Sequence, residues 1–296
     1  MQVNITPEAI SRAARTCMLA DLSIRVYEGR IKDRDTEAEV ATNKQAKSKS
    51  AVSVQKYLFA DCAEMDAIKK HVAKVRQGVH YPLTSPWSDS GTRVLHMVNH
   101  QRYRTAINQA RDEFWKLVEQ FLDHYDTLVA AAAFKLGDLF DRSQYLTRAQ
   151  VASKFAFEFE LSPMPTSGDF RIDMETAAQR ELVAHYEDVM AKRVREAQMT
   201  AWQSLHDTLK HISDRLTVGP DGKRNAFHDT LVSNARDLCD RLTGLNVTGD
   251  PALERARQEL EEVMLGVTPE ALRKELDTRA AVKSKVDAVL SQFDWA

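Results

Sequence analysis

Three arginines, Arg93, Arg102 and Arg104, lie among three rings, Tyr81, Trp87 and Tyr103, in the stretch GVHYPLTSPWSDSGTRVLHMVNHQRYR from Gly78 to Arg104. Cations paired with flat side chains suit single-stranded nucleic acid, where guanidinium and ammonium groups meet phosphates and rings stack on bases. Lys56, Lys69, Lys70, Lys74 and Arg76 precede the stretch and would extend the same surface. Pro82 and Pro86 favour extended backbone ahead of them. Asp89 and Gly91 suit a turn, the aspartate bonding a nearby amide and the glycine taking positive φ. A second reading stays open: the stretch is a structural bend, Trp87 fills the core beneath it, and the lysines form a solvated helix face.

Other groupings point less clearly to chemistry. His96 and His100 stand four apart, on one face of a helix, but zinc takes four donors or three plus water. Cys62, His71 and Asp89 add donors without a metal-ligand spacing, and HMVNH lacks the glutamate of HExxH. Asp138, Asp141, Glu158 and Glu160 form the densest carboxylate group, and Glu158 and Glu160 alternate with Phe157 and Phe159. That is the wet face of a half-buried strand before it is a paired-acid site. GPDGKRN at 219–225 departs from GxxxxGK[ST] in glycine spacing, with Arg224 where a hydroxyl should hold magnesium, so it reads as a polar turn. No GxSxG nucleophile elbow is present. We therefore expect no catalytic residues, no metal and no cofactor.

The positioning elements read as mainly helical. Thr6-Pro7-Glu8 opens a helix expected to run toward Tyr27, the threonine capping free amides and the proline fitting the first turn. Residues 28–50 are polar, an exposed helix or a linker. A helix from about Val52 to Gln77 carries the lysines. Ile107, Phe114, Leu117, Phe121, Tyr125, Leu128, Ala132, Leu136 and Leu139 recur at three- and four-residue steps, which predicts one long helix from Thr105 to Asp141 with a break near Gly137. Phe155, Phe157, Phe159 and Leu161, then Phe170, Ile172 and Met174, alternate on either side of SPMPTSG and predict a hairpin at 155–174. Further helices are expected at 175–216, 225–242 and 251–264, and from Thr268-Pro269-Glu270 onward. The fold class is a long-helix bundle with one small β-hairpin. Its regions are 1–50, an N-terminal helix and polar linker; 51–216, the helical core with the hairpin; and 217–296, a C-terminal helical region.

Of the 296 residues, 43% are hydrophobic and 28% charged, with a formal net charge of -2. A generally basic coat protein is excluded, but a local basic face is not. From Ala41 to Arg104 there are eleven Lys or Arg against four Asp or Glu, an excess of seven positive charges. Cys17, Cys62 and Cys239 are dispersed and odd in number, which suits a reducing compartment better than a disulfide framework. The first residues lack a secretory leader pattern, and no apolar run reaches membrane-spanning length, so a cytoplasmic protein without a membrane partner is expected.

Four blocks carry a family resemblance: PWSDSGTRVL (86–95), FLDHYDTLV (121–129), LGDLFDRSQYLTRAQVASKFAFEFE (136–160) and GDFRIDM (168–174). They resemble blocks in uncharacterised bacteriophage proteins often encoded near an AAA+ ATPase. The chain is also similar, more weakly, to the single-stranded-DNA-binding RNA polymerase cofactor of phages related to coliphage N4, from which no binding residue is carried over. The likeness covers roughly Val52 to Met174. It implies a phage accessory or regulatory protein acting in the host cytoplasm. Two functions follow as expectations. One is non-enzymatic binding of single-stranded DNA in transcription or replication. The alternative is a helical adaptor for a protein partner, RNA polymerase or the AAA+ ATPase. A metal-dependent enzyme ranks third. Helices of about 30 to 40 residues reach ~45–60 Å, longer than one compact domain needs, so self-association is expected as well.

Overall fold

The computed structural model describes residues 5–48, 51–165, 176–219, 223–293 and 295. The fold is mainly α, with a small antiparallel sheet. Twelve α-helical segments occur among the described residues: α1 (Pro7–Thr16), α2 (Arg34–Asn43), α3 (Ala63–Val75), α4 (Tyr81–Leu83), α5 (Met97–Asp123), α6 (Tyr125–Leu136), α7 (Arg148–Ala152), α8 (Thr176–Leu216), α9 (Thr230–Leu245), α10 (Pro251–Met264), α11 (Pro269–Lys274) and α12 (Leu276–Gln292). The strands are β1 (Cys17–Arg25), β2 (Arg30–Lys32), β3 (Gln55–Tyr57), β4 (Ser85–Pro86), β5 (Arg93–His96) and β6 (Ala156–Pro163).

These elements belong to two compact units, each assembled from separated stretches of sequence. The first takes its described residues from 1–22, 79–105 and 159–296, and the second from 23–78 and 106–158. This differs from the three consecutive regions expected, because the 79–104 stretch and the last 138 residues contribute to one unit.

In the first unit the core is a helical packing of the second half of α8 with α9, α10, α11 and α12. Trp202, Leu205, Leu209 and Ile212 on α8 meet Leu231, Leu238 and Leu242 on α9 and Leu253 and Leu260 on α10. Each helix buries residues three and four apart, so hydrophobic burial selects one face per helix. Three of the helix starts obey the same chemistry. Thr6, Asp250 and Thr268 each accept a first-turn amide, from Ala9 (3.2 Å), Ala252 (2.8 Å) and Ala271 (3.2 Å), and a proline follows each cap. β1 and β5 pair antiparallel with Cys17 opposite His96 and Ala20 opposite Arg93, and β4 lies on the far side of β5 with Pro86 opposite Arg93.

The second unit is built around Phe59, whose ring contacts Phe121, Tyr125 and Tyr145 at centroid distances of 5.7, 5.7 and 5.5 Å. α3 buries Met65, Ile68, Val72 and Val75. α7 opens with a capping box, in which the Thr147 hydroxyl accepts the Gln150 amide and the Gln150 side chain accepts the Thr147 amide.

Three expectations are corrected. The first helix stops at Thr16, and Cys17–Arg25 is strand. Its buried residues Cys17, Ala20 and Ile24 fall at three- and four-residue steps, which imitates a helix. Residues 34–43 form α2, the exposed helix of the two readings, with Asp33 capping it by accepting the Thr36 amide at 3.1 Å, whereas the helix expected from Val52 begins only at Ala63, because Gln55–Tyr57 pairs as β3 with β2. The long helix breaks at His124, between α5 and α6, and Gly137 then ends α6 with φ of 53°. Of the hairpin, the first strand is β6, which takes its place beside β1 in the order β4-β5-β1-β6. The second, at 170–174, lies outside the described residues.

Candidate functional site

The 79–104 stretch is a folded layer with its polar groups turned on one another. Tyr103 is completely buried, and its hydroxyl shares a 2.9 Å hydrogen bond with His80 Nδ1, itself buried. The Thr84 hydroxyl donates to the His80 carbonyl. Arg93 then donates through Nε to the Thr84 hydroxyl (2.6 Å) and through Nη2 to the Thr84 carbonyl (2.7 Å), with its guanidinium 4.9 Å from the centre of the Tyr81 ring. Burial pushes the Tyr103 hydroxyl well above its ordinary pKa and lowers that of Arg93, the latter opposed by the Tyr81 and Tyr103 rings' hydroxyls. Trp87 is 3% exposed and packs with Ala13, Cys17, Val94, Met190 and Val194, while the Arg193 guanidinium lies 5.5 Å from its ring centre.

Two of the expected stacking rings are therefore corrected. Trp87 and Tyr103 are interior side chains, because a tight turn at Ser88–Gly91 folds the stretch back over a core and the Trp87 amide bonds the Thr92 carbonyl at 3.1 Å. Only Tyr81 of the three is exposed, and one face of it carries Arg93. Arg102 and Arg104 are exposed on the first turns of α5.

In the second unit the lysines divide. Lys56 has an 8% exposed side chain, donates to the Leu139 carbonyl at 2.7 Å and faces the Asp33 carboxylate at 3.9 Å. It is a structural cation, not a free phosphate ligand. Lys69, Lys70 and Lys74 are exposed on α3, opposite its buried face, and Arg76 is half-buried at the end of that helix.

The remaining groupings take local roles. His96 Nδ1 accepts the Val98 amide at 3.1 Å at the start of α5, and burial lowers its pKa. His71 Nε2 lies 2.8 Å from the Ala110 carbonyl. Asp141 accepts the Ser143 amide at 2.9 Å, which, with the Ser143 hydroxyl, holds its carboxyl below the usual range. Glu158 and Glu160 are exposed while Phe155 and Phe157 are buried, as the alternation required. Among the described residues no three His, Cys, Asp or Glu come together as a metal site.

The sequence reading passed over a concavity in the first unit, just after residues 219–225 in the chain. A cavity of about 730 Å³ opens there, lined by His211 and Arg215 of α8, the 226–229 segment, the first turn of α9 and Arg273 of α11. Its one advance signal was His211 and Arg215, an exposed i,i+4 pair on α8. Compared with protein-family models, curated proteins and solved structures, the chain matches none.

Proposed function

We propose that the chain is a non-enzymatic helical adaptor that works by protein contact and assembles with a second copy of itself. The observation that carries this reading is the solvent face of α6. Phe134 is 93% exposed, with Ala130 and Ala131 exposed one turn before it, so the face a soluble helix fills with charge is apolar here. Burying a phenylalanine contributes roughly 1.5–3 kcal/mol, and a two-fold interface counts that contribution twice in favour of association. The withdrawal of Trp87 and Tyr103 also weakens the competing single-stranded-DNA reading. The resemblance to phage proteins supports a reading in which the adaptor acts in the host cytoplasm, with an AAA+ ATPase or RNA polymerase as the larger partner.

Light scattering tests it. The wild-type chain should run well above the 33.5 kDa of one copy, and Phe134→Asp should return it to that mass. A wild-type chain that stays monomeric at about 100 µM, where ~5.5 kcal/mol of association would register, rejects the self-assembly.

The exposed Lys69, Lys70 and Lys74 favour a second reading, in which the chain contacts single-stranded DNA through phosphates alone. Such binding falls steeply with salt. Replacing all three with alanine should reduce the slope of log K against log salt by about 2. Salt-independent binding by the wild type, or none at micromolar protein, removes this reading.

A further inference from the structure

We propose that the cavity between the end of α8, the start of α9 and α11 binds a phosphate-bearing small molecule of nucleotide size. Four of its lining residues can be cationic, Arg215, Arg273, His211 and His228, and one is acidic, Asp229. Asp229 is already engaged, paired with Arg273. It stands just before α9 and makes no side-chain cap there; of the first-turn residues on the cavity wall, Leu231 gives its amide to the His228 carbonyl at 3.0 Å. The volume of about 730 Å³ falls within the ~300–1,000 Å³ range of small-molecule sites.

What fixes the cations in place is a charge buried behind them. Arg279 is 2% exposed and donates to four carbonyls: Nε to Leu216 (2.9 Å), Nη1 to Leu272 (3.4 Å), and Nη2 to Arg215 (2.6 Å) and Asn225 (2.8 Å). Among the described residues no carboxylate pairs with it, and its charge adds to the positive field at the cavity. Those bonds also tie together the α8 end, the 225–227 segment and α11, the three walls that carry the site. Phe227, on the wall, has the Arg273 guanidinium 5.0 Å and the Arg279 guanidinium 5.6 Å from its ring centre. Arg273 donates to the Phe227 carbonyl at 3.2 Å, and Arg215 makes only a long 3.4 Å contact to the Ala226 carbonyl. Arg215 therefore keeps most of its planar fork of donors for a ligand. Two guanidinium groups and two imidazoles match the tetrahedral oxygens of a phosphate better than a single carboxylate.

Titration calorimetry of the full chain with inorganic pyrophosphate and with ATP tests the site. Either probe should bind, and Arg215→Gln should weaken binding at least about tenfold, as removal of a charge-assisted contact does. His211→Ala should weaken it by a smaller factor, and a variant with Lys69, Lys70 and Lys74 replaced by alanine should bind like wild type. Unchanged melting of Arg215→Gln shows that the loss is one of contact. No binding of either probe at about 1 mM, where a site of only ~4 kcal/mol would register, overturns the assignment. So does equal binding by wild type and Arg215→Gln, or loss of binding in the lysine variant.

Discussion

Residues 79–104 and residues 211–234 both belong to the first unit, and each inverts what its composition suggests. The first is rich in rings and cations and spends them inward. Tyr103 bonds His80, Arg93 uses two of its donors on Thr84, and Trp87 fills a core. The second is a plain helix end and turn, yet its cations converge on open space. What separates them is where the nearby carbonyls find donors. In 79–104 the bend leaves the His80 and Thr84 carbonyls to be satisfied by side chains, and Thr84 and Arg93 supply the bonds. Around 211–234 the corresponding work is done from behind by Arg279, which takes four carbonyls and leaves Arg215 outward-facing. Residue types suggest which chemistry a segment could do. The unmet hydrogen bonds of the backbone around it decide whether it is free to do so.

The sharpest test of that contrast sets Tyr103 against Arg215. Tyr103→Ala removes a fully buried ring and its hydrogen bond to His80, and should cost ~3–5 kcal/mol in urea unfolding. Arg215→Gln, on the exposed side, should stay within about 0.5 kcal/mol of wild type. If the tyrosine variant unfolds like wild type, the 79–104 layer is not the closed structure described, and its rings return as a surface.

Much of the architecture was legible before the structure, for a local reason. Thr6-Pro7, Asp250-Pro251 and Thr268-Pro269 mark helix starts because a capping oxygen and a proline act within a few residues, and α10 runs from Pro251 to Met264 as its periodicity required. β1 was missed because its burial comes from partners far along the chain. Cys17 and Ala20 are covered by residues of β5 and α8, and the resulting three-and-four spacing carries no local sign of a strand. The same limit hid the site. Arg273 and Arg279 are separated from Arg215 by some sixty residues, and no local pattern reports that α12 will meet the end of α8. Lys56 was misjudged for the converse reason, since its acceptor, the Leu139 carbonyl, lies 83 residues away.

A smaller effect joins the two regions. Gly244, on α9, packs so closely on the Asn99 side chain that a Cβ at that position would overlap it. Asn99 is buried, and its Nδ2 has no hydrogen-bond partner. Gly244→Ala should therefore cost ~1–3 kcal/mol by overpacking, although alanine is the better helix former by about 1 kcal/mol. In an Asn99→Ala background the clash is gone, and the same substitution should become neutral or stabilising. A double-mutant cycle reads this reversal directly. Equal costs in both backgrounds would mean that the start of α5 and the end of α9 are not in contact, and the layer over the helical core would need another anchor.

The smallest expected effect concerns the alkaline limb of stability. Cys17 lies under the 79–104 layer, packed with Trp87 and Val94, and burial pushes its thiol up to about 11 from an ordinary 9.0. In the unfolded chain the thiol ionises first. The neutral thiol's contribution is therefore complete below about pH 9 and is lost as pH climbs from 9 toward 11. By about pH 10 the wild type should have lost ~1 kcal/mol that a Cys17→Ala variant does not lose, since one pKa unit corresponds to about 1.4 kcal/mol. The measurement is the difference between the two variants' stability curves across pH 8–11, which removes the other titrating groups common to both. A thiol that reacts freely with a disulfide reagent in the native protein at mildly alkaline pH would give parallel curves. That outcome would show the layer opening on its own, so that the rings beneath it spend part of their time in water.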